Sequence, residues 1–121
     1  MKRRVVITGL GAVTPLGCSV PETWEAVCAG KSGVAPITRF DTTPFDTKIA
    51  AEVKGFDPLQ YVNKKEYRRL DDFIVYTIAA SEMAVADAGG ALARADAERT
   101  GVIVGSAIGG LMTIEKEKEA L

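Results

Sequence analysis

The sequence contains no histidine, and that absence narrows its chemistry more than any residue present. Without an imidazole, the 121 residues cannot assemble a Ser-His-Asp triad, a Cys-His pair or a His-ligated metal centre. Cysteine is nearly as scarce: Cys18 and Cys28 are the only two, and their spacing suits neither a zinc site nor a disulfide framework. No excess of one charge exists either. Fifteen Lys and Arg against sixteen Asp and Glu leave a net charge of −1, so there is no overall pull toward nucleic acid or a membrane surface. Long apolar runs are also missing. Lys2, Arg3 and Arg4 precede only three apolar residues before the first glycine pair, too short for a signal-peptide core, and no uncharged segment reaches a membrane span. The expectation is a cytoplasmic protein without membrane or nucleic-acid partners.

What is present is enough to fold. Hydrophobic residues make up 47% of the chain, and its length suits one domain or part of one. Val5, Val6 and Ile7, inside RVVITGLGAVTPLG, form a β-branched run with no alternating polar partner, which predicts a strand buried on both faces in a parallel sheet. It breaks into Gly9, Gly11, Pro15 and Gly17, which are loop residues. The same grammar returns at GVIVGSAIGG, where Val102–Val104 predicts a second buried strand emptying into glycines. Buried strands with helices between them define an α/β protein.

Between these runs the chain reads as helices and one long excursion. Ser19, three residues before Glu22 with Pro21 between, is a capping box that starts a helix ended by Gly30. Trp24, Val27 and Cys28 share a face of it, so Cys28 is expected in the core, while Cys18 lies in a loop with no base near it in sequence. Residues 31–58 are punctuated by Gly33, Pro36, Pro44, Gly55 and Pro58, with a short strand expected within Ile49–Val53. Asn63 caps a basic helix, KKEYRRL, and Asp71–Ala88 follows as a long helix closed by Gly89 and Gly90. Apolar residues surround nearly the whole of that long helix, from Phe73 to Ala86, so it requires cover on all sides. A turn at Asp96–Arg99 and a last helix from Leu111 complete the chain.

Three stretches are candidates for function. GLGAVT has the glycines of a dinucleotide loop, but Thr14 stands at the third glycine position and no acidic ribose partner follows a second strand, so the match is weak. The cations Lys65, Arg68 and Arg69 share one face of the basic helix, which is either a solvated surface or a docking patch for an acidic partner or a phosphate. In GSAIGGL, Ile108 is an isolated bulky side chain among small ones, either a packing knob or the lining of an apolar ligand pocket.

RRVVITGLGAVTPLG, TWEAVCAGKSGV, FDTTPFDTKIAAEV, RRLDDFIVYTIAASEMA and GVIVGSAIGGL together resemble the opening of the β-ketoacyl-[acyl-carrier-protein] synthases, nearest the type II fatty-acid elongating kind. The resemblance runs the full length of this chain in order, and covers only the opening portion of such an enzyme. It implies a thiolase-like layered α-β-α-β-α fold, of which residues 1–121 would be an incomplete part of the N-terminal domain, and a homodimer. The long apolar helix would then lie in the central layer.

The implied activity is decarboxylative Claisen condensation of an acyl thioester with malonyl-carrier protein, with no metal or organic cofactor. The family's catalytic cysteine and two histidines lie beyond the matched stretch, and neither Cys18 nor Cys28 stands in the nucleophile's context, so no catalytic residue is placed on this chain. Two features carry over by resemblance. Ile108 matches the position that gates the inner acyl pocket, next to Ala107, which replaces a glycine found in some relatives. Lys65, Arg68 and Arg69 match the basic face that meets acyl carrier protein. Three alternatives stand beside this reading: a polyketide ketosynthase of the same fold, a noncatalytic chain that binds carrier protein or acyl groups, and a nucleotide-binding α/β domain.

Overall fold

The computed structural model describes residues 2–120. The first helix, α1 (Val20–Cys28), starts as its capping residues dictate. Ser19 is extended and its Oγ accepts the Glu22 N–H at 3.3 Å, while Glu22 Oε2 accepts the Cys18 N–H at 2.8 Å, one residue earlier than in a reciprocal capping box. Gly30, at φ +66°, reverses the chain, and the Lys31 and Gly30 N–H groups bond back to the Ala26 and Val27 carbonyls at 2.9 and 3.0 Å. That is a Schellman ending, and it satisfies carbonyls the helix would leave bare. The face that α1 buries differs from the expected one. Ala26 is buried, whereas Trp24 is 65% exposed and Val27 and Cys28 are exposed with it. No described element packs over that face, so Cys28 is not a core residue here.

The excursion holds the single sheet among the described residues. β1 (Val34–Pro36) and β2 (Ile49–Ala51) pair antiparallel in the register Val34↔Ala51, Ala35↔Ala50 and Pro36↔Ile49. The second strand falls within the stretch expected from sequence. Its connection to β1 is closed by Lys48, whose Nζ donates to the carbonyl oxygens of Thr42, Thr43 and Phe45 at 3.0, 3.3 and 3.0 Å. Three loop carbonyls thus gain a charged donor, and the loop becomes a folded unit.

The long helix α3 (Asp72–Asp87) ends where Gly89 and Gly90 take φ of +57° and +78°. Val75 and Ala79 are fully buried, the centre of what core the described residues make. The excursion is fastened to this helix by Arg39, whose guanidinium meets the Asp72 carboxylate at 2.8 Å and the Tyr76 hydroxyl at 3.2 Å. Phe56 adds an apolar fastening, stacked on Tyr61 at 5.6 Å and edge-on to Tyr76 at 5.1 Å.

On another side of α3 the glycines of GLG find their use. A Cβ on Gly11 would strike the Ala80 carbonyl and lie 2.9 Å from the Ala84 N. One on Gly9 would strike the Ala84 carbonyl and lie 2.8 Å from the Ala88 N. The chain at 9–11 therefore lies directly on the helix backbone along its Ala80, Ala84, Ala88 stripe, and the Leu10 N–H donates to Asp87 Oδ2 at 2.9 Å.

The two runs expected as buried parallel strands do not form strands among the described residues. Val5 is 91% exposed and Ile103 is 98% exposed, and both runs lack ladder partners. A β-branched run sets the backbone's extended preference, but a strand also needs neighbours for its N–H and C=O groups. Among the described residues the most exposed large apolar side chains, Val5, Val102 and Ile103, lie on these runs and not on α3. No helix among the described residues is long and apolar enough to cross a membrane.

Candidate functional site

Asn63 Oδ1 accepts the N–H groups of Lys65 and Glu66 at 3.1 and 2.9 Å, which fixes the start of α2 (Lys64–Tyr67). The helix expected over KKEYRRL is a single α turn. It relaxes into tighter turns through Arg69 N–H to Glu66 O at 2.8 Å and Leu70 N–H to Tyr67 O at 3.3 Å. Lys65, Arg68 and Arg69 are all exposed on it. The one ion pair found among the described residues is Arg39–Asp72, so none of these three cations is paired with another described residue. Tyr67 anchors the turn from behind: burial, and then the Asp72 carboxylate it meets at 3.5 Å, push its phenol pKa up and keep it a neutral donor.

A cleft opens between this turn and α4 (Leu111–Glu119), lined by Arg68, Arg69, Leu70, Asp71, Met112, Thr113, Lys116 and Glu117. Asp71 and Thr113 close its floor with a hydrogen bond from Thr113 Oγ1 to Asp71 Oδ1 at 2.7 Å. Sequence reasoning missed Asp71, Thr113 and Lys116 as site residues. The pair that brings them together is separated by 42 positions, and only the glycines before α4 hinted at a close approach there.

Ile108 stands apart from this cleft. It is 74% exposed in the bend before α4, and it makes no core of its own among the described residues. Its neighbours are fixed: Gly109, at φ +75°, lies against Phe73, and Gly110 against the Asp71 carboxylate. The dinucleotide reading of GLG has no room to operate, since the space beside Gly9 and Gly11 is filled by the α3 backbone.

Cys18 is half-buried, with its Sγ 3.5 Å from the Lys54 carbonyl. Burial, and then the Glu22 carboxylate, raise its pKa, the opposite of what an activated nucleophile needs. We expect iodoacetamide at neutral pH to modify exposed Cys28 several-fold faster than Cys18, as read by peptide mass mapping. Faster modification of Cys18 would mean that its loop is open in solution.

Comparison with known proteins gives the class first. The family model described as Beta-ketoacyl synthase, N-terminal domain, matches residues 2–121, and the chain belongs to this family. Among individual relatives, it is 50% identical over 120 residues to the 3-oxoacyl-[acyl-carrier-protein] synthase 2 of Coxiella burnetii, covering 99% of this chain and 29% of that protein. It is 49% identical to the synthase of the same name from Vibrio cholerae over the same shares of each chain. The chain thus spans about 29% of the length of these relatives. In structure it is similar to the ishigamide ketosynthase/chain length factor, with a TM-score of 0.75 at 32% identity, over 99% of this chain and 30% of that one. It is also similar to a type II polyketide ketosynthase solved with its acyl-carrier protein, with a TM-score of 0.74 at 30% identity, over 99% and 32% of the two chains.

Proposed function

We propose that residues 1–121 supply the carrier-docking surface and the acyl-pocket gate of a 3-oxoacyl-[acyl-carrier-protein] synthase acting in fatty-acid elongation. One observation carries the reading: Lys65, Arg68 and Arg69 stand exposed on a turn that is capped and fastened, with no acidic partner among the described residues. An array of that kind suits an acidic protein, for which complementary charge sets encounter rate and orientation. The solved relative that pairs a ketosynthase with its acyl-carrier protein supports the partner.

In the whole enzyme an acyl group would pass from the carrier's thiol to a cysteine thiolate outside this chain, releasing the carrier. Malonyl-carrier protein would then lose carbon dioxide to give a carbanion. Its attack on the acyl thioester carbonyl, with departure of the cysteine thiolate, leaves 3-oxoacyl-carrier protein. The histidines that assist would also lie elsewhere, since this chain has none. Ile108 would face the acyl chain in the layered thiolase-like body, which would form a cytoplasmic homodimer. The 121-residue chain alone is expected to catalyse no condensation.

Reversing charge at all three cations (Lys65→Glu, Arg68→Glu, Arg69→Glu) in the full-length protein tests the docking role. The affinity for holo acyl carrier protein is expected to fall by about 30-fold at an ionic strength near ~0.01 M, and by much less near ~0.15 M. Calorimetric binding that is unchanged at low salt would remove the docking role.

A further inference from the structure

The Ile108 side chain is largely exposed, but the residues that follow it are supported. The chain turns at Gly109, whose φ of +75° is the left-handed region that glycine takes without strain. Behind that glycine stands the ring of Phe73. A Cβ at 109 would lie 3.7 Å from Phe73 Cζ and 3.9 Å from Cε1, which is ordinary contact. Gly110 is held harder. A Cβ there would strike the Asp71 carboxylate, and Asp71 Oδ1 accepts the Thr113 hydroxyl at 2.7 Å. Gly110 caps α4 with no side chain of its own, so the carboxylate favoured at that positive helix end is lent by the N-cap of α3.

The support itself is well rooted. Asp71 and Phe73 stand at the start of α3, and Val75, two residues on, is fully buried. Arg39 holds Asp72, the residue between them, at 2.8 Å, and the Phe73 carbonyl accepts the Thr77 hydroxyl at 2.8 Å. A fixed seat behind Gly109 and an unsupported side chain before it make a hinge. Movement of Ile108 is then confined to the residues that precede Gly110.

We propose that Phe73 is a positioning residue for the acyl-pocket gate: its ring, with Asp71, sets how readily Ile108 swings aside for a long acyl chain. This rests on the gate reading of Ile108 above. Phe73 need not touch the acyl group, because it acts by stopping the Gly109 backbone from retreating. With a smaller side chain at 73 that backbone can fall back, and the displaced gate becomes a larger share of the population. Long acyl donors require the displaced state and short ones do not, so the effect falls on the ratio between them.

The test measures kcat/KM of the full-length protein with hexanoyl- and tetradecanoyl-carrier protein as acyl donors. Ile108→Ala, which removes the gate, is expected to raise the long-to-short ratio about 20-fold. Phe73→Leu is expected to raise it about fivefold in the parent, and to leave it within about 1.5-fold in the Ile108→Ala background. Thr113→Val removes an exposed hydrogen bond to Asp71 and should raise the ratio about threefold, whereas Thr113→Ser, which keeps the hydroxyl, should not. Where Phe73→Leu does not fold, the two Thr113 variants, made in both backgrounds, decide instead. Equal losses with both donors, or a shift that persists in the Ile108→Ala background, would make Phe73 a packing residue and overturn the inference. A ratio that Ile108→Ala moves and Phe73→Leu does not would overturn it while leaving the gate standing. A ratio unmoved by Ile108→Ala would remove the gate reading and the inference with it.

Discussion

Replacing Gly11 with valine is expected to destabilise the protein by about 3 kcal/mol, the order seen when a packed contact is overfilled. The new Cβ would meet the Ala80 carbonyl and lie within 2.9 Å of the Ala84 N, both of them helix backbone. Neither can turn aside as a long side chain could, so residues 9–11 must lift from α3 and the Leu10 N–H bond to Asp87 goes with them. Thermal unfolding followed by circular dichroism should show a Tm lower by about 10 °C or more. Gly101→Ala and Gly105→Ala are the matched controls. Both face open space, and each is expected to stay within about 0.5 kcal/mol of the parent. A Gly11→Val variant as stable as these would mean that the GLG segment does not lie on the helix.

The second large effect concerns Ile108. In the full-length protein, Ile108→Phe is expected to lower kcat/KM for long acyl donors by about 100-fold relative to short ones, because added bulk in a close-fitting apolar pocket excludes the longer chain. The side chain is mostly exposed in residues 2–120, so the substitution should hardly alter the stability of this segment itself. That separates the two roles the position could have. An altered chain-length profile with an unchanged Tm reads as a gate, and an unaltered profile would make Ile108 a packing residue without influence on substrate.

The parts of the fold that the sequence disclosed are those decided within a few residues. Ser19 and Glu22 marked the start of α1, Asn63 that of α2, and Gly89 with Gly90 the end of α3, because caps and left-handed glycines act locally. The strand near Ile49 was legible for its short apolar run. Partners were not legible. Arg39 and Asp72, 33 positions apart, and Asp71 and Thr113, 42 apart, meet through the course of the excursion and of α3, which no local pattern encodes. The same limit accounts for Val5–Ile7 and Val102–Val104, whose composition predicts strands but cannot supply the neighbours that make them so. Cys28 shows it on a helix, where a shared apolar face predicts burial only if something covers it.

By themselves the glycines at 9 and 11 carry only the pattern of loop punctuation and a weak dinucleotide signal. A better clue was the alanine spacing opposite, Ala80, Ala84 and Ala88, four apart on one helix face. Small residues on both sides of a contact announce close approach, and neither half is diagnostic alone. The sequence places Lys65, Arg68 and Arg69, the proposed docking cations, on a common face, and the structure leaves all three exposed. Lys116, which lines the cleft beside them, has no local signal, since the contact that sets α4 against the turn, Thr113 with Asp71, spans 42 positions.

The seat of Gly11 also decides what kind of genetic rescue is open to it. A clash with a neighbouring side chain can be relieved by a smaller residue opposite, so such positions drift in compensating pairs. The obstacle here is the carbonyl of Ala80, and every amino acid carries that carbonyl. No second substitution at positions 80 or 84 can make space for a larger residue at 11. A selection for suppressors of a Gly11 variant should therefore return reversion to glycine, or changes that displace α3 as a whole, and no replacements within its alanine stripe.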